Sequence, residues 1–374
     1  MSSKKLHIVA FDVPYPADYG GAIEVFYKLK ALYEEGVEIY FHAFFYGNRK
    51  PSNELEKYCK KVFYYKRFFH VNRFVNKLPF IVYSRKNDEL LRNLKSIDAP
   101  ILFEGIHTTY YLKHPDLKSR FKMVRMHNIE HEYYKHLSIN EEKPLKKQFF
   151  KQESKKLKKY EPVLSHSAVI FAISPLEQQY FTTHFPKNKV IYLPAFHPFK
   201  FEKTANESKK YILYHGNLEV SENITAVDWI LDHIAKKINH QVVIAGKNPT
   251  QKIIEKATKI KNVKIIQNPS FLEMEQLIKK AHIHLLITHQ TTGIKLKLLA
   301  ALFSGKFCLV NKEMIEGTGL ESLCEIAKTP KEFIEKIDFL MHKEISDDTI
   351  NHNIKMFNET FDNSINARLI KELL

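Results

Sequence analysis

Between Ile283 and Gly305 the chain reads IHLLITHQTTGIKLKLLAALFSG. Ile283, Leu285, Leu286 and Ile287 form an apolar run short enough for a buried strand; Thr291, Thr292 and Gly293 follow, and then leucines at helical spacing. A strand, a tight turn and a helix present free backbone N–H groups and the positive end of a helix dipole at the turn, and a glycine there lets a ligand approach the backbone. Phosphate is the group that suits such a place. Lys295 and Lys297 strengthen the expectation, because cations in a first helical turn oppose the dipole unless an anion joins them. Lys295 is expected to face that anion and Lys297 to point away. A second glycine-bearing turn, PADYGGA with Gly20 and Gly21, follows the first strand. It is not GxGxxG, so it carries no dinucleotide fingerprint.

The rest of the chain reads as the scaffold for these turns. Leu6–Phe11 has the pattern of a buried strand, about Ala22 to Glu35 that of an amphipathic helix closed by Gly36, and Val37–Phe45 that of a second strand. This βαβ opening is the unit of a parallel sheet with helices on both faces. Further strands are expected at Ile101–Phe103, Met123–Met126, Val169–Ala172 and Val190–Leu193. Ser174, Pro175 and Glu177 form a helix start. From Tyr211 the alternation repeats through YILYHGN, QVVIAG, VKIIQN, the strand at Ile283 and FCLVN, with helices from Asn223 to Lys237 and Phe271 to Ala281. The fold class is therefore α/β, with two doubly wound Rossmann-like domains over 1–196 and 211–347, a linker over 197–210 and a helical segment over 348–374. Two such domains imply a cleft between their strand ends, with Gly20 and Gly21 on one lip and Gly216, Gly246 and Gly293 on the other.

With 374 residues and 44% hydrophobic content, the chain can fill two cores of ordinary size. No apolar run approaches the roughly 20 residues of a membrane helix, and Met1 to Lys5 lead into a strand without a leader-like segment, so a cytosolic protein is expected. Cys59, Cys308 and Cys324 lie far apart in sequence and suggest neither a disulfide framework nor a metal or redox motif. A formal charge of +16 calls for an acidic partner. The basic residues gather in two places: Lys66, Arg67, Arg73 and Lys77 interleave with Phe68, Phe69, Phe74 and Phe80, and eight lysines from Lys143 to Lys159 crowd one helix. Lysine with Phe and Leu on an amphipathic segment is the pattern of a peripheral contact with an anionic membrane. No zinc-finger, RRM or helix-turn-helix signature accompanies the charge, so nucleic acid is not the expected partner.

HGNLEVSENITAVDWIL, VVIAGKNP and TTGIKLKLLAALFSG, in that order, resemble the C-terminal domain of the retaining GT-B glycosyltransferases of family 4, also called group 1. PADYGGA, QESKKLKKYEP and AISPLEQQYF extend the resemblance over most of the chain. It implies transfer of a sugar from a UDP- or GDP-linked donor to a glycan or lipid-linked acceptor, with retention of configuration and with no cofactor or essential metal. Carried over residue by residue, Gly216, Asn217, Gly293, Ile294 and Lys295 would bind the donor, with Gly20 and Gly21 beside its diphosphate. A diphosphate leaving group develops negative charge, which lysine and helix N–H groups can stabilise. His107, after ILFEG, and His127, in RMHNIE, match positions of catalytic residues. Together with the charge pattern and the lack of a membrane segment, the resemblance leads to the expectation of a cytoplasmic protein, peripheral on the inner membrane face, in assembly of a surface polysaccharide or another glycoconjugate.

Two departures stand against it. The family's paired glutamates fall at Thr292 and Ala300, and the second normally holds the donor ribose, so a non-catalytic partner or activator of another transferase is the alternative. The motif HNIEH, His127 to His131, also matches the HxxEH of inverted zinc proteases, in which two histidines on one helical face hold zinc and Glu130 would activate water.

Overall fold

A computed structural model describes residues 4–68, 76–200, 210–289, 295–304 and 306–374. The chain divides into two compact units, Met1–Pro198 with Thr360–Leu374, and Phe199–Glu359.

The first unit is built on seven parallel strands: β1 (Lys5–Ala10), β2 (Glu38–Phe45), β3 (Lys61–Lys66), β4 (Ile101–Glu104), β5 (Lys122–Arg125), β6 (Val169–Ala172) and β7 (Lys189–Tyr192). Their order is β3-β2-β1-β4-β5-β6-β7, so the winding reverses between β1 and β4. The helices are α1 (Gly20–Glu34), α2 (Phe80–Tyr83), α3 (Asp88–Ser96), α4 (Glu130–Asn140), α5 (Pro144–Tyr160) and α6 (Pro175–His184). Alternation along β1 sends Leu6 and Ile8 to one face, where Val25 and Leu29 of α1 cover them, and Val9 to the other, with Leu94 of α3, Leu157 of α5 and Phe181 of α6. The first helix begins at Gly20, so both glycines of the PADYGGA turn lie in its first turn. Ser174 caps α6 as expected, its Oγ accepting from the Glu177 N–H at 3.3 Å.

The second unit carries β8 (Tyr211–Asn217), β9 (Gln241–Lys247), β10 (Val263–Gln267), β11 (Ile283–Leu286), β12 (Phe307–Val310) and β13 (Glu325–Ile326), in the order β10-β9-β8-β11-β12-β13. Here the winding reverses between β8 and β11. The helices are α7 (Ser221–His233), α8 (Gln251–Thr258), α9 (Phe271–Lys280), α10 (Leu296–Phe303), α11 (Lys312–Ile315), α12 (Pro330–Met341) and α13 (Asp347–Thr360). Ile212, Tyr214, Val242 and Ile244 pack under α7, α8 and α12, while Leu213, Val243 and Ala245 pack against α9. Gly216 and Gly246 are register partners on β8 and β9, and a Cβ on Gly246 would lie 1.8 Å from the Gly216 carbonyl oxygen. Glycine is therefore required at 246 by strand packing.

Two expectations are corrected. The helical segment over 348–374 is two helices: α13 belongs to the second unit, and α14 (Asn363–Glu372) packs in the first beside α1. Lys371 donates to the Glu35 carbonyl at 2.6 Å, and Lys4 donates to the Lys371 carbonyl at 2.8 Å. Of the expected linker, residues 201–209 lie outside the described residues, but His197 is buried in the first unit, its Nε2 3.0 Å from the Phe361 carbonyl oxygen. Cys59, Cys308 and Cys324 are free thiols, as expected, although Cys308 and Cys324, far apart in sequence, are neighbours one position ahead of the β12–β13 register pair Leu309 and Glu325. Parallel pairing of β12 with β13, a two-residue strand with no sequence signal, brings them together.

Candidate functional site

In doubly wound sheets, ligands bind beyond the carboxyl ends of the strands where the winding reverses. In the first unit that place lies past β1 and β4, and Phe11 is its centre. The Phe11 ring lies 5.2 Å from the His107 ring and meets the His127 ring edge-on at 5.4 Å. A Cβ on Gly21 would come within 2.9 Å of Cζ of the same ring, so the glycine is what lets the start of α1 close onto Phe11. Gly21, His107 and His127 are thus gathered around one aromatic side chain, with Gly20 exposed at the helix start.

Beneath His127 lies a buried ionic network that the sequence did not reveal. Its Nε2 is 3.0 Å from Oε2 of Glu104, the last residue of β4. The Lys28 ammonium donates to both Glu104 oxygens at 2.7 and 2.9 Å and to Glu24 at 2.9 Å. Arg125, ending β5, donates through Nε to Glu24 at 3.0 Å and through its other nitrogens to the carbonyls of Ala172, Leu193 and Pro194. Glu24, Lys28, Glu104 and Arg125 are all at most 2% exposed. Burial would raise the Glu24 carboxyl, but Lys28 and Arg125 hold it below the usual carboxylate range. Glu24, Glu104 and His127 have the spacing of a possible metal-ligand set. The Lys28 ammonium already lies between the two carboxylates, however, and with Arg125 balances both charges, so a cation would have to displace it.

The HNIEH motif does not make the zinc-protease arrangement. His127 precedes α4, which begins at Glu130, so the two histidines do not share a helical face. His131 turns to Glu161, its Nδ1 3.2 Å from Oε1, and Tyr180 donates to the other Glu161 oxygen at 2.7 Å. Glu130 itself is buried, and burial, reinforced by Glu177, pushes its carboxyl up to about 8. Its Oε1 lies 4.0 Å from His107 Nδ1, a buried atom with no hydrogen-bond partner among the described residues. Burial, with Arg85 and His127 nearby, keeps His107 neutral by lowering its pKa well below that of an ordinary histidine. Gly105, at φ +69°, makes room for that ring, since a Cβ there would lie 2.6 Å from Nδ1. Arg85 is buried too, donating to the carbonyls of Phe11 and Ile81 and so fixing the strand end that carries Phe11.

In the second unit, the reversal lies past β8 and β11. Gly293 and Ile294, expected to line the donor site, lie outside the described residues, as do Thr291 and Thr292. Lys295 is described: it is the half-buried N-cap residue of α10. Lys297 is a correction. Rather than pointing away, it turns back to the end of β8, donating to Asn223 Oδ1 at 3.0 Å and lying 5.1 Å from the centre of the Tyr214 ring. Burial brings its ammonium down to about 8, Glu222 opposing and Lys295 adding to the shift. Asn223, in the first turn of α7, also donates to the Asn217 carbonyl at 2.9 Å and covers Gly216, whose Cβ would stand 3.2 Å from its amide nitrogen. Glu222 accepts from the buried Thr288 hydroxyl just past β11. Gly216, Asn217 and Lys297 are thus brought together by α7. Ala300 is buried, 6% exposed.

No family model matches the sequence. An uncharacterised 44.6 kDa protein in the cps region of Klebsiella pneumoniae is 27% identical over 337 residues, 84% of each chain. Among solved structures, sucrose-phosphate synthase of Thermosynechococcus elongatus is similar over 99% of this chain and 98% of that one, with a TM-score of 0.71 and 11% identity. A glycosyltransferase from Rickettsia africae is similar over 100% and 98%, with a TM-score of 0.67 and 12% identity. HepE of Anabaena, solved in complex with UDP, is similar over 99% of both chains, with a TM-score of 0.65 and 12% identity. At these identities the likeness is one of fold, and that fold is GT-B, two Rossmann-like units in one chain.

Proposed function

We propose that the chain is a glycosyltransferase that moves a sugar from a UDP- or GDP-linked donor to a hydroxyl of a glycan or lipid-linked acceptor. The observation that carries this reading is Lys297, a half-buried lysine at the winding reversal of the second sheet, its ammonium donating to the neutral Asn223 amide oxygen and brought down to about 8 by desolvation. Such a cation gains most from a ligand of high negative charge, and a nucleoside diphosphate is such a ligand. The UDP seen in HepE, a protein of the same fold, supports the reading. On the acceptor side, the first unit offers His127, whose Nε2 faces Glu104, and the neutral His107, both against Phe11. A neutral imidazole can accept or donate a hydrogen bond to an incoming hydroxyl, and Phe11 gives a sugar ring an apolar surface to stack on.

The family resemblance adds retention of configuration and a reaction without a metal; the basic, Phe-rich clusters add work at the cytoplasmic face of a membrane, in assembly of a polysaccharide or another glycoconjugate. The described residues contain no helix long and apolar enough to cross a membrane. The test is a panel of UDP- and GDP-sugars, with release of the nucleoside diphosphate followed and the product anomer read by NMR. Binding of neither nucleotide would refute the proposal. A second reading, a non-catalytic partner of another transferase, is favoured by Ala300, where an alanine occupies the place of the ribose-binding acid. Nucleotide binding without transfer to any acceptor would select it.

A further inference from the structure

We propose that the α4–α5 hairpin, with Arg67 and Phe68 beside it, is a face by which the first unit lies against an anionic lipid bilayer. On α5, Lys147, Lys151, Lys155 and Lys159 follow one another at intervals of four, and like charges so placed repel along a helix. These four and Lys158 are exposed and make no ion pair with any described residue. Glu153, the helix's sole acid, is buried, accepting from the Phe80 N–H at 2.7 Å. A solvated helix interleaves acids with its lysines; this one leaves its counter-charge to something outside the molecule.

Apolar residues crown the same hairpin. Ile139, 60% exposed, and Leu145, 82% exposed, flank the connection at 141–143, where Glu141 is paired with Lys146 at 2.8 Å and Glu142 faces solvent. Phe149 of α5 packs on Phe80 at 6.3 Å, and Phe80 lies 5.3 Å from the Arg67 guanidinium. The half-exposed Phe68 is next in sequence. The fold thus brings Arg67 and Phe80 of the first basic, aromatic cluster beside Phe149 of the second, while Phe69, Arg73 and Phe74 lie outside the described residues. Apolar tips seat at the headgroup boundary while lysine stems lie along it with their ammonium groups on lipid phosphates. The second unit also has a basic hollow of about 900 Å³, with Lys259, Lys261 and Lys264. None of the strongly exposed large apolar side chains lies among its residues, and two of its lysines are already paired, Lys256 with Asp228 and Asp232 and Lys236 with Asp232.

The inference deepens the membrane-proximal part of the proposed function by naming the surface; its test contains no sugar, so its failure would leave the transfer proposal standing. The full chain is sedimented at low salt with phosphatidylcholine vesicles, with and without phosphatidylglycerol. Binding is expected only to the anionic vesicles. A Lys147→Ser, Lys151→Ser, Lys155→Ser variant should partition about a hundredfold less, at about fivefold per surface lysine. The matched variant at Lys259, Lys261 and Lys264 should stay near wild type, and Leu145→Glu should weaken vesicle binding while leaving its melting curve unchanged. In a Leu145→Trp variant, emission should shift to the blue on adding anionic vesicles. Absence of binding, equal loss in both lysine variants, or no shift from Leu145→Trp would overturn the proposal. So would tight binding to single-stranded RNA with vesicle binding indifferent to Leu145→Glu, which would mark a face for nucleic acid.

Discussion

Replacing Lys297 by alanine tests the donor site where the structure departs from the sequence reading. With its pKa near 8, about nine-tenths of Lys297 is charged at pH 7 and about one-tenth at pH 9. If the diphosphate binds the ammonium form, affinity for UDP or GDP should fall about tenfold between those pH values, or about 1.4 kcal/mol. Lys297→Ala should weaken binding at pH 7 by about 1.5–3 kcal/mol, the range for a hydrogen bond to a charged group, and should flatten the pH dependence. Both effects are read by isothermal titration calorimetry on wild type, Lys297→Ala and Lys295→Ala. Lys295 stands at the N-cap position of the same helix without a side-chain capping bond, so its replacement calibrates how the two cations share the task. Equal affinity of wild type and Lys297→Ala, or a wild-type affinity that holds from pH 7 to pH 9, would refute the reasoning.

Gly21→Ala should displace the Phe11 ring, 2.9 Å from the new Cβ, and disturb both histidines; a fall in turnover larger than the fall in melting temperature is the expected result. Glu104→Ala leaves Lys28 buried with only half of its counter-charge and should cost about 3–5 kcal/mol in urea titration. His127→Ala removes a partly exposed ring and should reduce transfer with a smaller loss of stability. For Glu130, the unfolded chain releases its proton near 4.5 and the folded chain near 8, so the folded state binds more protons in between and stability declines as pH rises through that window. Glu130→Gln should remove that decline, seen by comparing denaturant midpoints at pH 5 and pH 8.

The alternating architecture was legible because apolar period and turn residues report locally, and each reads much the same in isolation as in the fold. Side-chain direction on α10 was not. Reading the helix from Gly293 puts Lys295 toward the turn, whereas α10 starts at Leu296, and burying Leu298, Leu299, Ala301 and Leu302 rotates Lys297 back to β8. Glu24 and Lys28 were missed for a similar reason. An acid and a lysine four apart on a helix look like a solvent-facing pair, and only the arrival of Glu104 and Arg125 from strand ends far along the chain shows them to be buried. Strand β3, KVFYYK, alternates as a strand should, but its flanking lysines drew attention to charge. Gly20, Gly21, His107 and His127 were named on motif order alone, and Phe11, which gathers three of them, carries no signal of its own.

The return of α14 to the first unit sets an order of events during synthesis. Residues 199–359 are contiguous and can close their core as soon as they have left the ribosome. The first unit cannot, because Ala367 and Ile370, both fully buried, complete the same cluster as Leu6, Ile8 and Leu29. The half that is translated first is therefore the half that finishes folding last, and until residue 370 emerges, the apolar surface that α14 covers stands open to chaperones and to neighbouring nascent chains.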